Sequence, residues 1–494
     1  MPQPVASSLL VRGGLVLDPN LGLERADILV RGDAIARIAA AIEEPADRVV
    51  DGRGCFVMPG LINAHTHGYQ SVFRGLSDNL PLDPWLLFTL GSDLPMGPRE
   101  TYVATALEAI EMVRGGTTAA LDHAYAPLEA FEAHLDAVAA AYRDVGLRAC
   151  VVPLYADRDF VDTFPRHLVG GPAPPPAPDP ARTRRVLDAV TRWLDRGAAD
   201  RHPRLSRGVG PASPQRCSRE LYEGSLGLAR ARGLALHTHL LETKGQVLTC
   251  TRMFGKPVVE YLGGLGALGP DCSFAHGVWL DRGAVGALAE AGSPVVHNPT
   301  SNLRLGSGVA PVQAMRAAGL SVALGSDGSG CSGDAGMIGV VRSAARLHKL
   351  YGKPEDWIGA AEAWAMCLTG GARVLRADIG RLAAGARADL VLLDAGRVFL
   401  APKAHVVNQI IYGVTDAEVR RVFVGGEEVV TAGRVATVDE AALREEAGAI
   451  VRRVIESLPR RQTALAGQAE LLARLAARVD AEPLGVDRRV SMIG

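Results

Sequence analysis

At 494 residues, with 53 basic and 54 acidic side chains and a net charge of -1, the chain is too long for one simple core and offers no surplus charge to a polyanion. No nucleic-acid partner is expected on that ground, and no apolar run reaches the roughly 18 residues that a membrane span needs. Seven scattered Cys without a C-x-x-C pair argue against both a disulfide framework and a thiolate zinc site, and the opening MPQPVASSLLVRGGLVLD lacks a leader pattern, so a soluble cytoplasmic protein is expected.

Residues 8–57 alternate apolar and polar positions between Gly-containing turns, the pattern of short antiparallel strands. The same texture returns in Ala388–Asp394, Val406–Tyr412 and Arg421–Val430. Both chain ends, residues 1–57 and 382–436, are therefore expected to build one small β-sandwich domain. Between them, residues 58–381 alternate apolar strand tips with amphipathic helices such as Pro98–Gly115, Leu128–Val145 and Arg282–Ala291. Strands are predicted to end near His67, Asp122, Tyr155, Pro211, His239, His276, His297 and Asp327. Eight such strands predict an α/β fold, a (β/α)8 TIM barrel whose active site lies at the C-terminal strand ends. The Pro-rich stretch Gly170–Arg182 is expected to be a long loop after the third strand, and residues 437–494 a helical tail packed on the surface or on a partner subunit.

Four fragments, His65-Thr66-His67, His239 to Glu242, Ala275-His276 and Ser326-Asp327, each close an apolar run of strand type. In an extended strand residues i and i+2 share a face, so His65 and His67 can converge on one ion. Three imidazoles and a carboxylate suit Zn²⁺ with a position left open for water; Fe²⁺ or Mn²⁺ would accept the same donors. His237 and His239 repeat the spacing, which leaves the third imidazole ligand open on spacing alone.

The segments VMPGLINAHTH, HTHLLET, AHGVWL, HNPTSNLRLGSGVAPV and LGSDG, followed by GRLAAGARADLVLLD, resemble the amidohydrolase superfamily, in its cytosine-deaminase and methylthioadenosine/adenosylhomocysteine-deaminase branch. The resemblance implies His65, His67, His239 and Asp327 as metal ligands, Glu242 as proton shuttle, His276 beside the attacked carbon, and His237 as a structural neighbour. Relatives with two metals bridge them with a carboxylated Lys in the first half of the barrel; no Lys precedes Lys244 here, so one metal per subunit is expected. The implied activity is hydrolytic deamination of an amino-substituted N-heterocycle of purine, pyrimidine, pterin or triazine type, with catalysis by Glu242, His276 and Asp327. Relatives among the triazine hydrolases make dechlorination or N-dealkylation of an s-triazine the alternative. A catalytically silent binding protein is the reading from another class, and the filled ligand positions speak against it. The resemblance also implies a homodimer or homotetramer.

Trp85, His123, Arg148, His297 and Asn302 are candidate substrate contacts. Three departures bear on specificity, one being the segment GSDGSGCSGDAGM around Asp327, which is richer in Gly than the family's text. Gly210-Pro211-Ala212-Ser213-Pro214 carries Ala212 where adenosine-type relatives have a His, and Asp93 is displaced from the place of the acidic residue that holds ribose hydroxyls in those enzymes.

Overall fold

The computed structural model describes residues 8–17, 21–89, 94–171, 176–199, 202–396 and 405–489; Asp93 lies outside them. Nine strands from both ends of the chain connect into one continuous sheet in which Cys55–Pro59 pairs antiparallel with Leu390–Asp394. Alternation decides which apolar cluster each side chain joins, since the central strands are buried on both faces. Val11, Ile28, Val30, Val57, Leu390, Leu392 and Phe423 point to a common apolar cluster. The turn between Val419–Val424 and Glu427–Thr431 consists of Gly425 and Gly426, with φ of +57° and +77°. Glycine adopts two consecutive left-handed residues without steric cost, and that pair matches the twist of a two-residue hairpin.

Gly60 carries the chain from this sheet into the first parallel strand, Leu61–Thr66; a Cβ there would come within 2.0 Å of the Thr118 hydroxyl. Leu61–Thr66, Thr117–Tyr125 and Arg148–Tyr155 pair in parallel, with Leu205–Arg207 and Gly210–Pro211 completing that sheet. Leu236–Leu240, Cys272–His276, Val295–His297 and Val322–Leu324 form a second parallel sheet. Backbone contacts join the two sheets at both margins. Val209 bridges Leu236 in parallel, and the Asp327 N–H donates to the His65 carbonyl at 3.0 Å. Helices such as Pro98–Arg114, Phe131–Val145 and Arg282–Ala291 alternate with the strands, giving a mixed α/β architecture.

Three expectations change. Val406–Gly413 is a helix rather than a strand: Val406, Val407, Ile410 and Ile411 are its buried residues, an i, i+1, i+4, i+5 pattern with helical period. Pro180–Ala199 is a helix as well, so the Pro-rich segment ends three residues before Arg182; proline is tolerated in a first helical turn, where its missing N–H has no partner to lose. Residues 172–175 of that segment lie outside the described ones. The third change is Arg148. It opens its strand, at the end remote from the histidines, and its guanidinium forms two 3.0 Å hydrogen bonds with the buried Asp389 carboxylate. Asp389 also accepts from the Gly425 N–H at 2.7 Å, so the pair ties the parallel strands to the small sheet. Arg148 is thus a joint between substructures and not a substrate contact. Arg148→Ala leaves a buried carboxylate unpaired and should cost about 3–5 kcal/mol in denaturant unfolding, with KM unchanged.

The tail forms two helices, Glu440–Ala464 and Ala466–Ala481. Leu472 and Leu475 of the second pack with Leu87 and Phe164, behind the segments that wall the pocket described below. All seven Cys are buried and unpaired, and no helix among the described residues is long and apolar enough to cross a membrane.

Candidate metal and catalytic site

The histidines meet because parallel strands end together. His65 is buried on Leu61–Thr66, His67 follows that strand, and His239 and His276 lie near the ends of adjacent strands. Asp327 follows Val322–Leu324. His276 and Asp327 adopt left-handed backbone, φ +75° and +63°, as does Leu241 at +47°. Each such residue costs on the order of 1–3 kcal/mol, strain that concentrates where side chains must be aimed.

Hydrogen bonds fix which ring nitrogen of each histidine faces the centre. His67 donates from Nδ1 to the His123 carbonyl (2.6 Å), and His239 from Nδ1 to the Ala212 carbonyl (2.8 Å). A carbonyl only accepts, so both rings carry the proton on Nδ1 and turn a bare Nε2 inward. His276 Nδ1 donates to Asn302 Oδ1 at 2.9 Å, with the same result. His65 Nδ1 lies 2.8 Å from His237 Nε2, and His237 Nδ1 lies 2.7 Å from Ser273 Oγ. With His65 and His237 both protonated on Nδ1, this relay leaves His65 Nε2 bare too. Burial, followed by the neighbouring histidines, holds the His65 and His239 pKa well below the ordinary imidazole range, and His237 is lowered to about 3.

The inward atoms suit a cation, and His65 with His123 and His239, or with His276 and Asp327, brings three possible ligand atoms within 4.8 Å of one another. His67 Nε2 and His239 Nε2 stand 3.3 Å apart with no proton between them, and buried His65 Nε2 has no hydrogen-bond partner. Asp327 Oδ1 lies 3.4 Å from His67 Nε2 and 3.8 Å from His65 Nε2. Three lone pairs and a carboxylate oxygen converging in a buried space are the donor set of a divalent transition metal. His123 lies closer to this cluster than a substrate contact would. Its ring stacks on His239 at 4.9 Å, its Nε2 is 3.1 Å from the Gly210 carbonyl, and its Nδ1 has no partner.

Sequence spacing left His237 and His239 as equal candidates. In the fold His239 presents its Nε2 to the cluster, while both His237 nitrogens are engaged, one of them supporting His65. Losing such an outer partner typically weakens a metal about 10–100-fold. His237→Ala should therefore hold close to one metal per chain when zinc is supplied and release it more readily to a competing chelator.

Glu242 closes the other side. Its carboxylate accepts from Ser307 Oγ at 3.2 Å, its backbone N–H donates to Gln246 Oε1 at 2.8 Å, and its Oε2 lies 3.6 Å from His276 Nε2. Burial, and then the negative charge of Asp327, push its pKa well above the ordinary carboxyl value, which favours a form that carries a proton. His276 Nε2 also lies 3.9 Å from Asp327 Oδ2. His67, His239, Glu242, His276 and Asp327 line one pocket, which Trp85 walls; the Trp85 indole N–H is buried without a partner.

Asn302 is set behind His276 as its acceptor. His297 is buried 3.1 Å from His348, Nε2 to Nε2, and does not line the pocket. Sequence reading passed over Ser307, Gln246, Ser273, Asp83 and Arg216. Gln246 alone carried a local signal, four residues beyond Glu242 at the start of the helix Lys244–Phe254.

The amidohydrolase family model matches residues 56–429. The chain is 32% identical over 444 residues to a 5'-deoxyadenosine deaminase of Methanothermobacter thermautotrophicus, covering 90% of this chain and 97% of the relative. It is 34% identical over 446 residues to a 5-methylthioadenosine/S-adenosylhomocysteine deaminase of Halobacterium salinarum, covering 90% and 97%. Among solved structures, an adenosine deaminase from Xanthomonas campestris with bound zinc is similar at 27% identity and TM-score 0.78, covering 91% of this chain and 98% of that one. The zinc complex of an atrazine chlorohydrolase from Arthrobacter aurescens TC1 is similar at 25% identity and TM-score 0.80, covering 90% and 100%. The pattern of ligands, the extent of the match and the identity to these relatives agree: the chain belongs to the amidohydrolase family.

Proposed function

We propose that this protein is a metal-dependent aminohydrolase that removes ammonia from an amino-substituted purine, held as a nucleoside or a nucleoside-like molecule. The observation that carries the reading is the facing pair of bare imidazole nitrogens, His67 and His239 at 3.3 Å, with Asp327 against them and Glu242 beside His276. His65, His67, His239 and Asp327 would hold one Zn²⁺ per chain. Bound there, the ion supplies a Lewis acid that makes water nucleophilic at neutral pH.

The protein's own groups then divide the proton work. His276 Nε2 carries a lone pair, so it orients the attacking water by accepting its hydrogen. The proton that this water loses passes to Asp327 or to His276, and a protonated His276 offsets charge on the new carbon–oxygen bond. Glu242 donates its proton to the ring nitrogen next to the attacked carbon, so negative charge does not build up on the heterocycle. Return of a proton to the exocyclic nitrogen breaks the carbon–nitrogen bond. The products are the oxo-heterocycle and ammonia.

The architecture fits this reading if the two parallel sheets close into a single (β/α)8 barrel, a closure supported by the Val209–Leu236 bridge at one margin and the Asp327–His65 hydrogen bond at the other. A second reading, hydrolysis of a chlorinated or alkylamino s-triazine, is favoured by one feature. Ala212 lines the pocket with a methyl group where adenosine-type relatives carry a His, which removes a polar contact that a nucleoside would use.

The test is ammonia release, with metal content measured on the same sample, from 5'-deoxyadenosine, methylthioadenosine, adenine, guanine, cytosine, pterins and amino-triazines. Release from a purine at about one metal per chain is expected. Release from none of them by protein that still holds its metal would overturn deamination, and chloride release from a chlorotriazine would then establish the second reading.

A further inference from the structure

We propose that Arg216 determines the specificity of this pocket by holding an anionic substituent of the substrate, a carboxylate or a phosphate, while the heterocycle sits against Glu242 and His276. The proposal rests on the deaminase reading above for its account of the reacting end.

Arg216 ends the short 3-10 turn Pro214–Arg216 that follows the strand Gly210–Pro211, and it lines the same pocket as Glu242, His276 and Asp327. Its backbone is hydrogen-bonded on both sides. Its N–H donates to the Ser213 carbonyl at 3.1 Å and its carbonyl accepts from the Arg158 N–H at 3.2 Å. Two residues on, Asp157 takes the Ser218 N–H at 2.8 Å and the Ser218 hydroxyl at 2.6 Å, and it also accepts from Thr183 at 2.8 Å. The guanidinium lies over the Phe160 ring, its carbon 5.1 Å from the ring centre, so the ring supports the cation without taking up its hydrogen-bond donors.

The side chain lacks a counter-charge. Arg166, Arg182 and Arg219, in the same region, form ion pairs with Asp162, Asp159 and Glu223. No carboxylate among the described residues approaches the Arg216 guanidinium within 4.0 Å, and its Nε is enclosed without a hydrogen-bond partner. Asp83, from the helix Leu82–Thr89 on the pocket wall, feels the charge of Arg216 but stands beyond ion-pairing distance, and burial raises it to about 6. Arg216 is half-buried with its Nε enclosed and unpaired, and this burial without a partner lowers its pKa. A planar oxyanion arriving with the substrate would satisfy it with two parallel, charge-assisted hydrogen bonds. A neutral substrate leaves that cost uncompensated, and the difference is a basis for selection.

The experiment compares kcat/KM of the wild type and Arg216→Gln on three substrates that share the adenine ring: 5'-deoxyadenosine without an anion, S-adenosylhomocysteine with a carboxylate, and adenosine 5'-monophosphate with a phosphate. The substitution should reduce kcat/KM for one anionic substrate about 10–100-fold more than for 5'-deoxyadenosine, through KM. Which of the two responds identifies the anion. Arg216→Lys, which keeps the charge and loses the planar fork, should recover part of the loss. Equal losses on all three substrates, or no loss, would overturn the proposal.

Calorimetric titration of the metal-loaded protein with benzoate and with inorganic phosphate provides a readout without turnover. Arg216→Gln should weaken one of them at least tenfold, at unchanged metal content and melting temperature. If the wild type deaminates none of the three substrates while the substitution still weakens the anion, the deaminase reading fails and the anion subsite stands. Unchanged anion affinity without turnover removes both.

Discussion

Glu242→Gln is expected to lower kcat by about two to four orders of magnitude while the metal stays bound and KM changes little. The amide keeps the size of the side chain and can still meet the Ser307 hydroxyl, which lies 3.2 Å from Oε1. It cannot give up a proton at neutral pH. The backbone of Glu242 is held by Gln246 independently of the side chain, so the loop keeps its course. Glu242 appears in none of the close contacts among His65, His67, His239 and Asp327, so metal content should match the wild type. Turnover and metal analysis on one preparation decide the matter. A variant that loses its metal would make Glu242 a ligand, and a variant that turns over normally would assign the proton to another donor.

Asp327→Asn should weaken metal binding by at least about 10-fold, in the range of lost metal partners, and should depress turnover even when zinc is supplied in excess. The two carboxylate oxygens face different neighbours. Oδ1 lies 3.4 Å from His67 Nε2, on the ligand side, and Oδ2 lies 3.9 Å from His276 Nε2, on the side where water would be activated. An amide supplies one weak oxygen donor and no site to take up a proton. It can still accept the Gly328 N–H that Oδ1 receives at 2.8 Å, so the left-handed turn should survive. Chelator competition measures the first effect, and kcat at saturating zinc measures the second. Restoration of full activity by added zinc would restrict Asp327 to holding the metal, and tight zinc binding by the variant would remove it from the ligand set.

Much of this site is legible along the chain because the relevant geometry is local. The period of a strand puts His65 and His67 on one face, and apolar runs that stop at His239, His276 and Asp327 mark strand ends. Misreadings arose where local pattern was ambiguous. VVNQIIYG is apolar enough to read as a strand, yet its buried positions follow a helical period and it packs as a helix. Pro180 reads as a loop residue until a first helical turn accommodates it. The strands near both ends of the described chain connect into one nine-stranded sheet, and pairing between distant strands such as Cys55–Pro59 and Leu390–Asp394 leaves no local trace.

By itself the sequence determined where most strands of the alternating region end, which metal-type side chains stand at those ends, and the presence of an acidic group three residues after His239. Those properties depend on neighbours within a few positions, and backbone periodicity transmits them directly. The tertiary structure decided the rest. It made His237 the support of His65 rather than a competitor of His239, bared each inward Nε2 through acceptors up to 172 residues away, paired Arg148 with Asp389, and left Arg216 in the pocket without a counter-charge. Tautomer, burial and charge balance depend on which groups lie within about 3–4 Å in space, and that proximity is set only when strands distant in the chain come together.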